Sequence, residues 1–349
     1  MTGNAARAAF AIEIRERYGD VARNRWPVSI DPLPDELLSS WLHRLALANG
    51  IAPRSFADVL GLSERMWSPR LDLRLPGHVA ALLCHQTGLA IEDLSAMTMS
   101  GGAMAPLLLP LRDNTHRKRS TWTQYCPQCL ATDEAPYFRR QWRLASRVSC
   151  FTHGCGLRDR CPACRAPIAT FDQDELAEQN LCARCGFDLR AASKASVKAS
   201  ARRLERAIAD ICRVASATGS AATSDDIVSR VLRAPAVADI GFMATLKNLS
   251  TAARIRCFEL LAAKSLDWLV TDKDTATAHR RRMILAAGGH DELIARFADF
   301  LDKHQTRPRS MRSTLPCAGL ADVLTAYLRV AGDRTTLKSH RDLGVRESQ

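Results

Sequence analysis

Several familiar signatures of chemistry are missing from this chain of 349 residues. It has no G-x4-G-K-[ST] stretch, so it does not cradle nucleotide phosphates as a P-loop does. No Gly-rich dinucleotide fingerprint stands between a strand and a helix. HExxH is absent, as is H-x-E beside P-C-x-x-C, which excludes zincin-type proteolysis and zinc-dependent deamination. No run of about 18 apolar residues offers a membrane span. The opening residues, MTGNAARAAFAIEIRERYG, lack a sustained apolar stretch, so no secretory signal is expected. Aromatics are only 6% of the chain, while Ala, Leu and Arg are frequent, which favours helix. Asp172, Asp174 and Glu175 lie in a polar loop, without the rigid, shaped cavity that a two-metal nuclease site needs.

What the chain has is positive charge and paired cysteines. A formal net charge of +12 points to a polyanionic partner, most often nucleic acid. Between residues 125 and 187 stand four pairs with a two-residue gap: Cys126 and Cys129, Cys150 and His153, Cys161 and Cys164, Cys182 and Cys185. A two-residue gap on a tight turn aims both side chains at one point, which is half of a tetrahedral zinc site. Four halves make two sites, one of three cysteines and a histidine, the other of four cysteines. The last two pairs enclose 17 residues, inside the spacing that signals zinc. Disulfides belong to small secreted scaffolds, and redox chemistry by a single CxxC does not need four pairs. Both sites look filled, so the two zinc ions are expected to be structural rather than catalytic. Thiolate ligands require a reducing compartment, hence an expected cytoplasmic location. Cys155 could replace His153 as fourth ligand; the two-residue gap of the other pairs favours His153. Cys84, Cys212 and Cys257 fall in helix-like apolar patterns and suit buried small hydrophobes.

The chain divides into a basic lead-in over 1–25, a helical region over 26–115, the zinc region over 116–190, a second helical region over 191–335 and a charged tail over 336–349. The fold class is therefore mainly α with small zinc-ribbon β elements. In the first helical region Leu37, Leu38, Trp41, Leu42 and Leu45 make one apolar face that ends at Asn49-Gly50, with Pro34 suited to the first helical position. A short helix over 53–60 follows. HVAALLCHQTGLAIEDLSAMTM gives a helix, a turn at Thr87-Gly88 and a helix from Ile91 to Met97, the pattern of a helix-turn-helix. Glu92 and Asp93 at the start of its second helix would repel phosphate and fit better as helix N-terminal stabilisers. Residues 100–115 read as a connector. PYFRRQWRLASRVSC has strand character. Its Arg139, Arg140 and Arg143, with Arg112, Arg117, Lys118 and Arg119 upstream, form the most compact basic and aromatic patch, suited to DNA phosphate contact. KASARRLERAIADICRVA places Leu204, Ile208, Ile211 and Cys212 on one side of a helix; further helices follow, the last near Ala318 to Val330.

Three stretches, in this order, resemble the TniQ/TnsD family of transposition proteins: WPVSIDPLPDELLSSWLHRLA, HVAALLCHQTGLAIEDLSAMTM and YCPQCLATDEAPYFRRQWRLASRVSCFTHGCGLRDRCPAC. The resemblance covers about residues 26–190 and leaves 195–349 as an unmatched helical extension. It implies a non-catalytic selector of transposon target sites, which binds DNA, or in some members a guide-RNA effector on DNA. The selector recruits an AAA+ ATPase and through it the transposase. The expected partners are thus DNA, that ATPase, a guide-RNA effector in some members and a second copy of the chain, with no membrane. The other reading is a zinc-containing helix-turn-helix transcriptional regulator without a transposition partner.

Overall fold

The computed structural model describes residues 25–62, 71–99, 104–109, 123–168, 173–217, 221–241, 243–270 and 275–305. The protein is mainly helical, and β structure among these residues is confined to isolated antiparallel bridges. No described helix is long and apolar enough to cross a membrane. The chain divides into two compact units that are not consecutive in sequence. One comprises 1–100, 133–140 and 169–189; the other comprises 101–132, 141–168 and 190–349.

The first unit is built on α1 (Leu38–Ala48), α2 (Pro53–Val59), α3 (Gly77–Thr87) and α4 (Ile91–Ala96). Leu38, Trp41, Leu42 and Leu45 of α1 are buried against Phe56, Val79, Leu83 and Leu94, the face expected from the spacing. α1 ends where the chain pattern places the stop: Gly50 takes φ 72, the left-handed conformation that glycine adopts without a Cβ penalty. Its start differs from expectation. Pro34 and Asp35 form a turn before the helix, with Asp35 at φ 56, and α1 begins four residues later than Pro34. The reason is Glu36. Its buried carboxylate accepts from Leu33 N (2.9 Å), from Ser40 Oγ (3.2 Å) and from Nε and Nη2 of Arg44 (2.9 Å each). These bonds hold the approach to the helix out of helical register. α3, the Gly88 turn at φ 78 and the short α4 make the expected helix-turn-helix corner, with Glu92 and Asp93 exposed in the first turn of α4. Segment 133–140 joins this unit by bonds from Leu37 N to Phe138 O and from Arg140 N to Asp35 O.

The second unit contains α5 (Pro127–Thr132), α6 (Ala199–Ala217), α7 (Ala221–Leu232), α8 (Ala234–Val237), α9 (Thr251–Leu261), α10 (Asp267–Val270), α11 (Thr275–Ala287) and α12 (His290–Gln305). The single helix expected across LSTAARIRCFELLAAKSLDWLV is two, α9 and α10, separated by residues 262–266. Leu204, Ile208, Ile211 and Cys212 of α6 are buried as their spacing predicts, beside Val228, Phe258 and Ile284. Leu107 and Leu109, from the stretch expected to be a connector, and Ala145 and Val148, from the zinc region, lie in the same core. Within 137–150 the strand character is only partly realised. Arg140–Arg143 is a 3-10 turn, and pairing is limited to bridges such as Leu108 with Leu144. Gln124 explains how this irregular backbone is satisfied. Its buried Nε2 donates to the carbonyls of Trp142 (2.8 Å), Arg147 (3.2 Å) and Leu144 (3.3 Å). The expected helix near Ala318 to Val330, the lead-in before residue 25 and the tail lie outside the described residues.

Candidate metal centres

Three of the four cysteine pairs are carried by one backbone form repeated. Cys150, Cys161 and Cys182 each open a knuckle closed by a bridge between the residue before it and the residue six after it: Ser149 with Gly156, Arg160 with Pro167, Leu181 with Asp188. Each opening cysteine donates its N–H to the carbonyl five residues on, that of Cys155 (2.8 Å), Ala166 (2.8 Å) or Phe187 (2.9 Å). Its own carbonyl accepts from the residue four on: Gly154 (2.8 Å), Arg165 (3.0 Å) or Gly186 (2.8 Å). That fourth residue is left-handed in all three, with φ 64, 60 and 69. Glycine meets this demand twice; Arg165 meets it against the steric preference of a residue with a Cβ. The sequence showed the two glycines, while nothing in its pattern marked Arg165. The fourth pair differs: Cys126 immediately precedes α5 and Cys129 lies in its first turn.

The ligand atoms of Cys126, Cys129, Cys150 and His153 all lie within 4.8 Å of one another, and so do those of Cys161, Cys164, Cys182 and Cys185. In the first cluster His153 Nδ1 lies 3.3 Å from Cys129 Sγ, 3.6 Å from Cys150 Sγ and 3.7 Å from Cys126 Sγ, and Cys129 Sγ lies 3.5 Å from Cys150 Sγ. Tetrahedral zinc with its usual bond lengths would separate two sulfurs by about 3.8 Å and a sulfur from a nitrogen by about 3.6 Å. The donor set therefore fits such an ion. Repetition of the knuckle also bears on the fourth ligand. His153 occupies the position of Cys164 and Cys185, three residues after the opening cysteine. Cys155 occupies the position of Ala166 and Phe187, whose carbonyls close the turn. Cys155 Sγ still comes within 3.5 Å of Cys126 Sγ.

The electrostatics show what a cation would relieve. Hydrogen bonds from the thiols of Cys129 and Cys150 draw Cys126 down to about 6, against opposing effects of Cys155 and burial. Hydrogen bonding with Cys126 and Cys150, then burial, and last the repulsion of neighbouring thiolates push the Cys129 thiol up. Cys126, Cys129 and Cys150 are buried, as are Cys161 and Cys182, while Cys164 and Cys185 are exposed. Among the remaining cysteines, Cys212 and Cys257 are buried, and burial pushes each up to about 12, as suits inert core residues.

The arginines proposed from sequence for DNA are differently placed. Arg139 grips Asp133 with two bonds, 2.7 and 3.1 Å, and its guanidinium lies 4.2 Å from the centre of the Tyr137 ring. Arg140 pairs with Asp35 (3.2 Å) and donates to the carbonyl of Ala96. Arg143 is 1% exposed and donates to Leu109 O. These three thus serve contacts inside the protein. Arg112, Arg117, Lys118 and Arg119 lie outside the described residues. Residues 27–157 match the family model described as TniQ. No curated protein matches the chain.

Proposed function

We propose that this chain, whose residues 27–157 match the TniQ family model, is a transposition-associated protein and a non-catalytic adaptor that selects the insertion target. In this reading it binds DNA, or a guide-RNA effector on DNA, and recruits an AAA+ ATPase that brings the transposase. The TniQ match over residues 27–157 carries the reading. Cys126, Cys129, Cys150 and His153 hold one zinc ion, and Cys161, Cys164, Cys182 and Cys185 hold another. Four protein ligands at each leave no open coordination position, so the zinc supplies rigidity and not a reacting water. The protein neither hydrolyses ATP nor cuts DNA. It acts by raising the local concentration of the ATPase at the target, which requires no new chemistry.

DNA contact falls first to Arg112, Arg117, Lys118 and Arg119. Arg139, Arg140 and Arg143, the other arginines of the patch, contribute less, because their guanidinium groups already serve internal acceptors. Binding is expected to weaken steeply with salt, since each phosphate contact releases counterions.

The deciding measurement is a transposition assay with and without this chain, with insertion sites sequenced. Loss or scattering of insertions, together with capture of the ATPase on the tagged protein, supports the adaptor. Insertion at the same place and frequency without the chain overturns it and favours the transcriptional regulator.

A further inference from the structure

The first metal centre draws its ligands from residues 126–153, yet the side chain that grips its third ligand's approach comes from α6. Glu205 is 1% exposed. Its carboxylate accepts from Val148 N (3.0 Å) and Ser149 N (3.3 Å), and from the Ser149 hydroxyl. Arg147 Nη1 lies 3.6 Å from the same group. One carboxylate thus holds three consecutive residues, 147–149, that run directly into Cys150. The grip extends around the knuckle. The Arg147 guanidinium lies 3.4 Å from the centre of the Phe151 ring, and that of Arg206, one residue after Glu205, lies 5.3 Å from it. Arg202, almost one turn before Glu205, covers Gly154 so closely that a Cβ there would come within 2.2 Å of its Nη1. Ser149 also forms the bridge with Gly156 that closes the knuckle.

We propose that Glu205 is a positioning residue for the first metal centre: α6 holds Cys150 and His153 in ligating geometry through residues 147–149. The inference rests on the reading of that cluster as a zinc site. It extends the centre beyond the residues matched to TniQ, because α6 begins at Ala199. Groups that orient metal ligands typically change metal affinity by about 10–100-fold when removed. Glu205→Ala would leave two buried N–H groups and a buried hydroxyl without their acceptor and would remove an ion-pair partner of Arg147, so the Cys150 knuckle is free to open.

The test follows zinc release from the full chain into a chromophoric chelator, with total zinc counted by elemental analysis. In Glu205→Ala, one ion of two should leave at least about tenfold faster than in the parent chain. Glu205→Gln, which keeps an acceptor oxygen for the backbone N–H groups, should fall between. Asp210→Asn is the control. Asp210 lies on the same helix and accepts from His290 N (2.8 Å), away from the knuckle. It should lower the thermal midpoint without hastening release. Equal acceleration by Asp210→Asn at a matched loss of stability would reduce Glu205 to a general stabiliser and overturn the inference. Parent-like release of both ions from Glu205→Ala would also overturn it while leaving the zinc site intact. If Glu205→Ala does not fold, Glu205→Gln and Ser149→Ala decide by the same rates. A parent chain that holds only one ion, bound by the four-cysteine set, would overturn the zinc reading of the first cluster and this inference with it.

Discussion

At the scale of single residues, the knuckle's left-handed position is a sharp constraint. Gly154 and Gly186 have nearly the same φ, but a Cβ on Gly186 meets nothing within 4 Å, whereas one on Gly154 runs into Arg202. Gly186→Ala should therefore cost only the conformational strain, about 1 kcal/mol. Gly154→Ala should cost more, and the difference in chemical unfolding between the two isolates the Arg202 contact. Buried carboxylates give a second expectation. Burial raises Glu36 above its ordinary value of 4.5, with Arg44 opposing. Without Arg44 the carboxyl rises further. A carboxyl raised in the folded state costs stability when ionised; that cost is complete above its folded pKa and fades as pH falls towards the unfolded value. Arg44→Ala should thus cost about 3 kcal/mol near neutral pH and less near pH 5, measured by urea unfolding at each pH. The ordinary acid loss of a paired carboxylate would run the other way.

At the scale of elements, the side chain of Gln124 links α9 to the irregular segment 142–147. Buried Arg254 donates to Gln124 Oε1 (3.0 Å), Thr251 Oγ1 (2.8 Å) and Leu249 O (2.7 Å), and Gln124 in turn serves three carbonyls of that segment. Burial lowers Arg254 to about 10, with Asp159 opposing, so it remains charged at neutral pH. Gln124→Ala removes one of the three acceptors of the buried Arg254 guanidinium and the donor to three backbone carbonyls, and should cost about 3 kcal/mol. Thermal unfolding checks this, and a loss under about 1 kcal/mol would mean that water replaces the amide. The helices themselves were legible. α1 and α6 follow from apolar spacing because their faces repeat at the helical period. The broken α9–α10 region was not, since Ala262, Ala263 and Lys264 are all good helix formers and only packing decides that the chain turns there.

At the scale of the molecule, the residues matched to TniQ are not a self-contained body. Ala145 and Val148 lie in one core with α6, α7, α9 and α11, and Leu107 and Leu109 join them. A chain cut at residue 190 would expose that core and lose Glu205. It should lose the unfolding transition of the second unit, followed by circular dichroism, and hold fewer than two zinc ions. A fragment that melts cooperatively with both ions bound would show the helical extension to be dispensable for folding.

The sequence alone brought out the four candidate ligand pairs, because a two-residue gap aims both side chains at one point wherever the chain is placed, and it determined the helix faces, because their period is local. Through three motifs in order it showed a resemblance to the TniQ/TnsD family, and residues 27–157 match the TniQ family model. Tertiary structure decided the rest. The patch arginines read as phosphate ligands, yet Asp133, Asp35 and the Leu109 carbonyl claim three of them. Asp35 and Leu109 are distant in sequence, so no local pattern could reveal the competition. His153 gains its place from a backbone turn shared by three knuckles, which depends on left-handed residues and not on ligand type. Glu205 lies 55 positions after Cys150 on a helix whose sequence shows only amphipathicity. Its role exists because burial makes each unpaired N–H costly, and the fold places one carboxylate where two of them and a hydroxyl need an acceptor.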